Sequence, residues 1–241
     1  MKKGEFDDYA SDYDAMLDDP VRRRFARDNA FFVTRKVEVI LEMLRGAGRD
    51  PRRLRWLDVG CGRGELLKAA RAHFRDVRGC DVSTAMLAHA APVTVVAQPD
   101  PSRLPFSGGE FDVVTAVCVF HHVEPQARPA LLAEMRRVLT ADGLVLLIEH
   151  NPLNPATRLI VSRTPIDRHA QLLSARRVRG LFRREQIVPL ASEHFLLLPQ
   201  SLYRRVGALE RLLSAVPLGG QYAVLGRVGG SSRPQYGGRQ V

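Results

Sequence analysis

The sequence predicts an α/β protein in which a mostly parallel sheet carries helices on both faces. An apolar run ends at Asp58 and continues through Gly60, Gly62 and Gly64 into a pattern of helical periodicity. Further along the chain, short apolar runs of strand length alternate with amphipathic segments of helix length. The run 111–120 is apolar almost throughout, which is typical of a central parallel strand buried on both faces.

The composition predicts one folded domain. A chain of 241 residues with 45% hydrophobic residues can bury one α/β core and is too short to demand two. No apolar run reaches the ~20 residues of a membrane span, and the N-terminus lacks the pattern of a secretory signal. The three cysteines have spacings that suit neither a disulfide framework nor a zinc site. We therefore expect reduced thiols, no bound metal and a cytoplasmic location.

The net charge of +10 raises the possibility of a nucleic-acid partner. The basic residues, however, are spread along the chain without the interleaved aromatic residues of a single-strand-binding surface. From residue 151 onward there are 14 arginines against four acidic residues. We expect no specific nucleic-acid partner. The arginine-rich half is either a solvated surface or a face for an anionic substrate or for membrane headgroups.

The glycine loop predicts a site for a nucleotide-like ligand. Glycine lets the backbone approach a ligand closely and adopt positive φ, and the N–H groups at the start of the next helix favour an anionic group such as a carboxylate. The spacing is D-x-G-x-G-x-G over 58–64, whereas a dinucleotide fingerprint would place glycine where Glu65 stands. This pattern resembles motif I of the class I S-adenosylmethionine-dependent methyltransferases. The resemblance implies cofactor contacts from Asp58, Gly60, Cys61, Gly62 and Gly64.

Residues 1–53 are expected to form an N-terminal lid and a helix. Tyr9 and Tyr13 lie one helical turn apart among acidic residues, and this segment is similar to the "Y-x-x-x-Y-D" start of many small-molecule methyltransferases. That similarity implies that Tyr13 covers the cofactor; the alternative is a flexible acidic arm. An apolar stripe from Val33 to Leu44 then predicts a helix that ends near Gly46.

Two acidic positions beyond the glycine loop extend the predicted cofactor site. Asp81 stands where the second strand should end and could accept hydrogen bonds from both ribose hydroxyls, with Val82 beside it. The stretch 100–114 is similar to the family's "D-A-x-x-L-P-F-x-x-x-x-F-D-x-V" block, which implies adenine contacts from Asp100 and the next residue. Here that residue is Pro101, which has no N–H to donate.

The ends of the fourth and fifth strands supply the candidate catalytic groups. The fourth strand leads through Cys118, a further expected cofactor contact, to His121 and His122, and the fifth ends at Glu149 and His150. The stretch 132–145 resembles the family's crossover between these strands. Sites of open parallel sheets lie at the carboxyl ends of strands, and histidine has an ordinary pKa near working pH. We predict His150 and His122 equally as the candidate base, with His121 and Glu149 ranked below them.

The resemblance implies a Rossmann-like seven-stranded sheet over residues 54–228, with inserted cap elements at 151–190 and 199–220. Residues 151–158 are rich in proline and asparagine and are predicted to be irregular. Strands are predicted at 194–198 and 221–228, and a tail at 229–241 is predicted to be disordered. A helical stripe from Leu202 to Val216 either packs on the sheet or lines an acceptor pocket, and both insertions are expected to roof that pocket.

The resemblance implies transfer of the methyl group of S-adenosylmethionine to a small-molecule acceptor, possibly aromatic or anionic. The family's signature for methylation of adenine or glutamine nitrogen is absent after strand four, so the first hypothesis is O-methylation in a biosynthetic pathway for secondary metabolites. The alternatives are N- or C-methylation of a small or lipid-linked molecule, RNA methylation, and a cofactor-binding scaffold without catalysis. A peripheral membrane contact and any oligomeric state stay open.

Overall fold

The computed structural model describes residues 6–229, and its strands form a seven-stranded sheet in the order β3-β2-β1-β4-β5-β7-β6. Strand β7 runs antiparallel to both β5 and β6, and the other pairings are parallel. The predicted mostly parallel α/β fold is therefore confirmed. The strands are β1 (Arg55–Val59), β2 (Asp76–Asp81), β3 (Thr94–Ala97), β4 (Phe111–Val117), β5 (Leu139–His150), β6 (Ile187–Phe195) and β7 (Gln221–Val228).

Helices cover both faces of the sheet. Successive side chains of β5 alternate between two apolar clusters: Leu144 and Leu146 belong to the first, Val145 and Leu147 to the second. A strand buried on both faces explains the nearly continuous apolar sequence. The helices are α1 (Tyr13–Met16), α2 (Pro20–Phe25), α3 (Asn29–Gly46), α4 (Glu65–Ala70), α5 (Thr84–Leu87), α6 (Arg128–Val138), α7 (Pro155–Arg163), α8 (Ala175–Arg184) and α9 (Gln200–Leu212). Helices α3 and α4 pack in the first cluster, α6 and α8 in the second.

The prediction that 151–158 is irregular is wrong, because α7 begins inside this segment. Proline fits the first turn of a helix, where its missing N–H is not needed, and Pro155 occupies that position. The side chain of Asn154 caps the helix by accepting a hydrogen bond from the N–H of Thr157 at 2.9 Å. The residues that suggested a loop are the start signals of a helix.

The sixth strand lies earlier than predicted. It ends at Phe195, because Leu196 adopts a positive φ of 59° and the chain then turns away from the sheet. The N–H groups of Leu197 and Leu198 donate to the Glu210 carboxylate, each at 2.9 Å, instead of to a neighbouring strand. A buried side chain therefore ends an apolar run that would otherwise continue as strand.

Helix α9 is held by polar groups, and its apolar stripe faces outward. Glu210 is buried and forms an ion pair with buried Arg35, with 2.7 Å between Nη2 and Oε1. The expectation that this stripe packs on the sheet is wrong. Its members are between 36% and 47% exposed: Leu202, Val206, Leu209, Leu213 and Val216.

Candidate active site

A cleft opens at the carboxyl ends of β1, β4 and β5. The glycine loop and Asp81 form its floor on one side, and the histidines after β4 and β5 lie on the other. The N-terminal segment from Phe6 to Lys36 and the end of α7 wall it in, with Ile160 and Thr164 contributed by the helix. Among the described residues that line the cleft, none belongs to α9. Residues 160–167 of the first insertion contribute to the lining of the cleft, and no described residue of 199–220 does; that the first insertion roofs an acceptor pocket stays a prediction.

The glycine loop needs its glycines for two different reasons. Gly60, Gly62 and Gly64 all have positive φ, between 53° and 71°, which side chains rarely permit. A Cβ on Gly60 would lie 2.6 Å from the side chain of Val119, so the segment that follows β4 leaves no space there. A Cβ on Gly62 would meet nothing within 4 Å, because this glycine borders the open cleft. A ligand can approach the backbone at Gly62.

Asp81 is held by backbone groups and keeps free acceptor capacity. One carboxylate oxygen accepts from the N–H of Gly62 at 2.8 Å, and the other accepts from the N–H of Ser83 at 2.9 Å. Each ionised oxygen has a further lone-pair position, which suits a pair of ligand hydroxyls at the cleft. Burial raises the pKa of Asp81, and the backbone N–H groups oppose that rise.

Asp58 ends a buried chain of hydrogen bonds beneath the cleft. Trp56 donates from Nε1 to Thr115 Oγ1 at 2.8 Å, and that hydroxyl donates to Asp58 Oδ1 at 2.5 Å. Burial raises the pKa of Asp58 to about 7, although the bond from Thr115 and the charge of Lys36 favour the ionised form. A buried carboxylate below the cleft favours a positively charged ligand.

A second cleft shares Gly60 and Val119 with the first and is lined mainly by apolar groups, including Val82 and Pro101. One of its polar lining residues is Gln98, which the sequence analysis missed because an amide two residues before Asp100 carries no motif signal. Asp100 itself is exposed and accepts from Ser102 N and Oγ, at 2.8 and 2.6 Å. The structure places Asp100 in neither cleft, and its adenine contact stays a prediction.

Glu149 lies behind the cleft wall. Its Oε1 accepts from the N–H groups of Val119 and Phe120 at 3.0 and 2.6 Å, and its Oε2 lies 2.5 Å from His121 Nδ1. It is fully buried and does not line the cleft. Burial raises the pKa of Glu149, but the charge and hydrogen bond of His121, together with His150 and the N–H of Phe120, outweigh it, and the pKa falls below its ordinary value. As a candidate base Glu149 is therefore badly placed, and its geometry suits the positioning of His121.

A carboxylate that the sequence analysis missed stands between the first two histidines. Asp167 Oδ1 lies 3.4 Å from His121 Nε2 and 3.3 Å from His122 Nε2. Burial lowers the pKa of His121, but Glu149 and Asp167 outweigh it and raise that pKa to about 10. Burial lowers the pKa of His122. Asp167 comes from the first insertion, where no local pattern predicts which side chain reaches the strand ends.

The remaining predicted site residues also line the cleft. Gln221, at the start of β7, extends Nε2 to 3.2 Å from Cys118 Sγ and 3.5 Å from His150 Nδ1. Burial raises the pKa of Cys118, but Lys36 and His150 outweigh it and lower that pKa to about 7. Cys118 has a φ of 58°, a strained backbone of the kind that concentrates at functional sites. Tyr13 and Cys61 line the same cleft.

The comparisons with known proteins agree with this geometry. Residues 57–147 match the family model described as a methyltransferase domain. This central part of the chain is therefore similar to methyltransferase domains. The chain is 30% identical over 152 residues to a demethylmenaquinone methyltransferase from Beutenbergia cavernae, a match that covers 62% of each chain. It is 30% identical over 102 residues to an uncharacterised methyltransferase from Synechocystis, covering 41% of this chain and 48% of that one. The chain thus spans only about half to three fifths of these curated relatives.

Solved structures show the same fold at lower identity. A SAM-dependent methyltransferase from Thermotoga maritima superposes with a TM-score of 0.68 at 15% identity, and the match covers 95% of this chain and all of that one. The neighbour confirms the Rossmann-like arrangement of the sheet.

The residues of the cleft fit S-adenosylmethionine, the cofactor that the similarity to methyltransferase domains implies. The open face at Gly62, the spare acceptor positions of Asp81 and the buried Asp58 suit a ligand with hydroxyl groups and positive charge. No helix among residues 6–229 is long and apolar enough to cross a membrane.

Proposed function

We propose that this protein transfers the methyl group of S-adenosylmethionine to an oxygen of a small-molecule acceptor in a biosynthetic pathway. The observation that carries the proposal is the continuity of one cleft. The glycine loop and Asp81 form one side, and His122, His150 and Asp167 form the other. A two-substrate reaction needs such an arrangement, since much of the rate acceleration comes from aligning the reacting groups.

The chemistry divides between the cofactor and the protein. The cofactor supplies a methyl group on a sulfonium, which is already a good leaving group. The protein aligns the acceptor and accepts a proton where the acceptor must lose one. His150 and His122 both line the cleft; His150 Nδ1 lies 3.5 Å from Gln221 Nε2, whereas His122 Nε2 faces the Asp167 carboxylate at 3.3 Å. We propose His150 as the general base and the predicted cofactor residues as the binding site.

Radiolabelled or isotopically labelled S-adenosylmethionine, incubated with pools of hydroxylated acceptors, tests the proposal by mass spectrometry. We expect label on an oxygen of at least one pool member and loss of that label in the Asp81→Ala variant. Asp81→Ala should weaken cofactor binding by about 1.5–3 kcal/mol, the usual contribution of a hydrogen bond to a charged group. Transfer to carbon or nitrogen alone would overturn the O-methylation. Cofactor binding without any transfer would support the scaffold alternative.

One observation favours a second candidate, a lipid-linked acceptor. Several large apolar side chains near α7 and α9 are exposed. They are Leu153 just before α7, Leu159 on α7, the apolar stripe of α9, and Leu218 after it. Asn154 Nδ2 donates to Leu218 O at 2.6 Å, so α7 and the chain after α9 lie side by side. Exposed arginines accompany this apolar surface at Arg204 and Arg205. Apolar groups beside basic groups suit an anionic lipid surface.

The relative named a demethylmenaquinone methyltransferase supports the same candidate for this chain. Cosedimentation with vesicles of neutral or partly anionic phospholipid tests it. We expect binding to the anionic vesicles only, reduced in the Leu209→Ser variant. Binding to neither composition would remove the lipid-linked candidate and leave the soluble acceptor.

A further inference from the structure

Three atoms that commonly ligate metals converge in the acceptor half of the cleft. One ring nitrogen each of His121 and His122 and one carboxylate oxygen of Asp167 lie within 4.8 Å of one another, and all three residues line the cleft. The distances from Asp167 Oδ1 to the two imidazole nitrogens are 3.4 and 3.3 Å. Direct charge-assisted hydrogen bonds are shorter, ~2.7–2.9 Å. The observed spacing instead matches the edge of a tetrahedron, ~3.3 Å, whose ligand bonds are ~2.0–2.1 Å.

One of these ligands, His121, is also held in position by a buried carboxylate. Metal-bound histidines usually use their second ring nitrogen to contact a carboxylate, which fixes the ring and its tautomer. His121 Nδ1 lies 2.5 Å from Glu149 Oε2, on the side away from the cleft. Glu149 is itself fixed by the two backbone N–H groups of Val119 and Phe120. Nε2 of His121 is therefore directed toward Asp167 and the cleft.

The charge and the donor set narrow the class of ion. With both imidazoles neutral, Asp167 and Glu149 bring two negative charges to a buried site, which a divalent cation would balance. Two imidazoles with one carboxylate suit first-row transition metals such as Zn²⁺, Mn²⁺ or Fe²⁺, whereas Mg²⁺ and Ca²⁺ prefer oxygen ligands alone.

We propose that His121, His122 and Asp167 bind one divalent first-row transition metal ion, with Glu149 as the positioning residue for His121. Because the three ligands come from the wall of the cleft, the remaining coordination positions face its interior. Metal binding itself is independent of the methyl acceptor; the role that follows rests on the proposed function.

In that role the ion holds a hydroxyl oxygen of the acceptor and lowers its pKa. The hydroxyl proton leaves to His150 or to water. The oxygen then forms a bond to the methyl carbon while the carbon–sulfur bond breaks, and its electron pair stays on sulfur. The products are the methyl ether and uncharged S-adenosylhomocysteine, so atoms and charge balance.

Titration of chelator-treated full-length protein with Co²⁺ alone tests the binding, read by visible absorption and by calorimetry. We expect one equivalent to bind, displaced by Zn²⁺. His122→Ala and Asp167→Asn should each weaken binding at least tenfold, and Glu149→Gln by about 10- to 100-fold, the usual effect of losing such a support. The exposed His89 provides a matched control, since His89→Ala removes an imidazole outside the cleft.

Calorimetric titration of S-adenosylmethionine into the same samples shows whether each variant is folded. It also separates the failure of the metal site from the failure of the proposed function. Normal cofactor binding with no Co²⁺ bound overturns the metal site and leaves the proposed methyl transfer standing. Equal Co²⁺ affinity in wild type and His122→Ala also overturns it. If Asp167→Asn fails to fold, His122→Ala decides alone, because the His122 side chain belongs to neither apolar cluster of the core.

Discussion

The two sides of the cleft are built in different ways. On the side proposed to bind the cofactor, Gly60, Gly62 and Asp81 lie within one strand–loop–helix–strand unit, and the Gly62 N–H donates to the Asp81 carboxylate. On the side proposed to bind the acceptor, side chains from distant segments meet: His122 follows β4, His150 ends β5, and Asp167 comes from the insertion beyond α7. A site made by local backbone leaves a sequence pattern, whereas a site made by long-range side-chain packing does not.

The largest effect should come from the acceptor side, through His150. If it is the general base, His150→Gln should lower kcat about 10²- to 10⁴-fold, the usual contribution of such a group. Cofactor affinity should stay unchanged, because no contact of His150 reaches the glycine loop. Steady-state rates with a positive acceptor, compared with calorimetry of the cofactor, check both statements. An unchanged kcat would remove His150 from the chemistry.

Asp58 should make the stability of the folded protein pH-dependent. Its folded pKa of about 7 exceeds the ordinary 3.8, so the folded state binds the proton more tightly than the unfolded state. Below about pH 4 the Asp58 carboxyl is protonated in both the folded and the unfolded state. As pH rises toward about 7 the unfolded state loses this proton first, and the free energy of unfolding therefore decreases. The loss reaches on the order of 4 kcal/mol. Urea unfolding across this range should show the decline in wild type and a smaller one in Asp58→Asn. Parallel curves would contradict the assignment.

The two loop glycines should behave differently when each is changed to alanine. Gly60→Ala adds left-handed strain and a contact with Val119, and should cost about 3 kcal/mol of stability. Gly62→Ala adds the strain alone, about 1–2 kcal/mol, but places a methyl group in the cleft. In thermal unfolding, Gly60→Ala should have a lower Tm than Gly62→Ala. Cofactor titration should show that Gly62→Ala has lost affinity beyond its loss of stability; normal affinity would mean that the ligand does not approach Gly62.

The smallest effect on turnover is expected in helix α7, where a residue that lines the cleft can be compared with an exposed one nearby. Ile160 lines the cleft, whereas Arg158 is exposed on the same helix. Ile160→Ala should lower kcat/KM severalfold. Arg158→Ala should leave kcat/KM unchanged and stability within about 0.5 kcal/mol. Loss of turnover in Arg158→Ala at normal stability would instead make Arg158 a contact for an anionic group of the acceptor.

The sequence predicted the sheet, the glycine loop and the position of Asp81, because each depends on local periodicity or on spacing within one βαβ unit. It failed at α7, where Asn154 and Pro155 act as cap and first turn, and at Leu196, where the buried Glu210 ends the strand. It could not identify Asp167 as a neighbour of His121, since only the folded insertion brings them together. The outward stripe of α9 was unexpected for the same reason: the buried ion pair Arg35–Glu210 sets its orientation.

Calorimetric titration of S-adenosylmethionine into wild type, Asp81→Ala and His150→Gln tests most directly whether the cofactor binds on the Asp81 side of the cleft and the acceptor on the His150 side. If so, Asp81→Ala should lose about 1.5–3 kcal/mol of binding free energy, roughly 10- to 150-fold in affinity. His150→Gln should bind the cofactor as wild type does, although its turnover falls. Equal affinity in wild type and Asp81→Ala, or a matching loss in His150→Gln, would contradict the account.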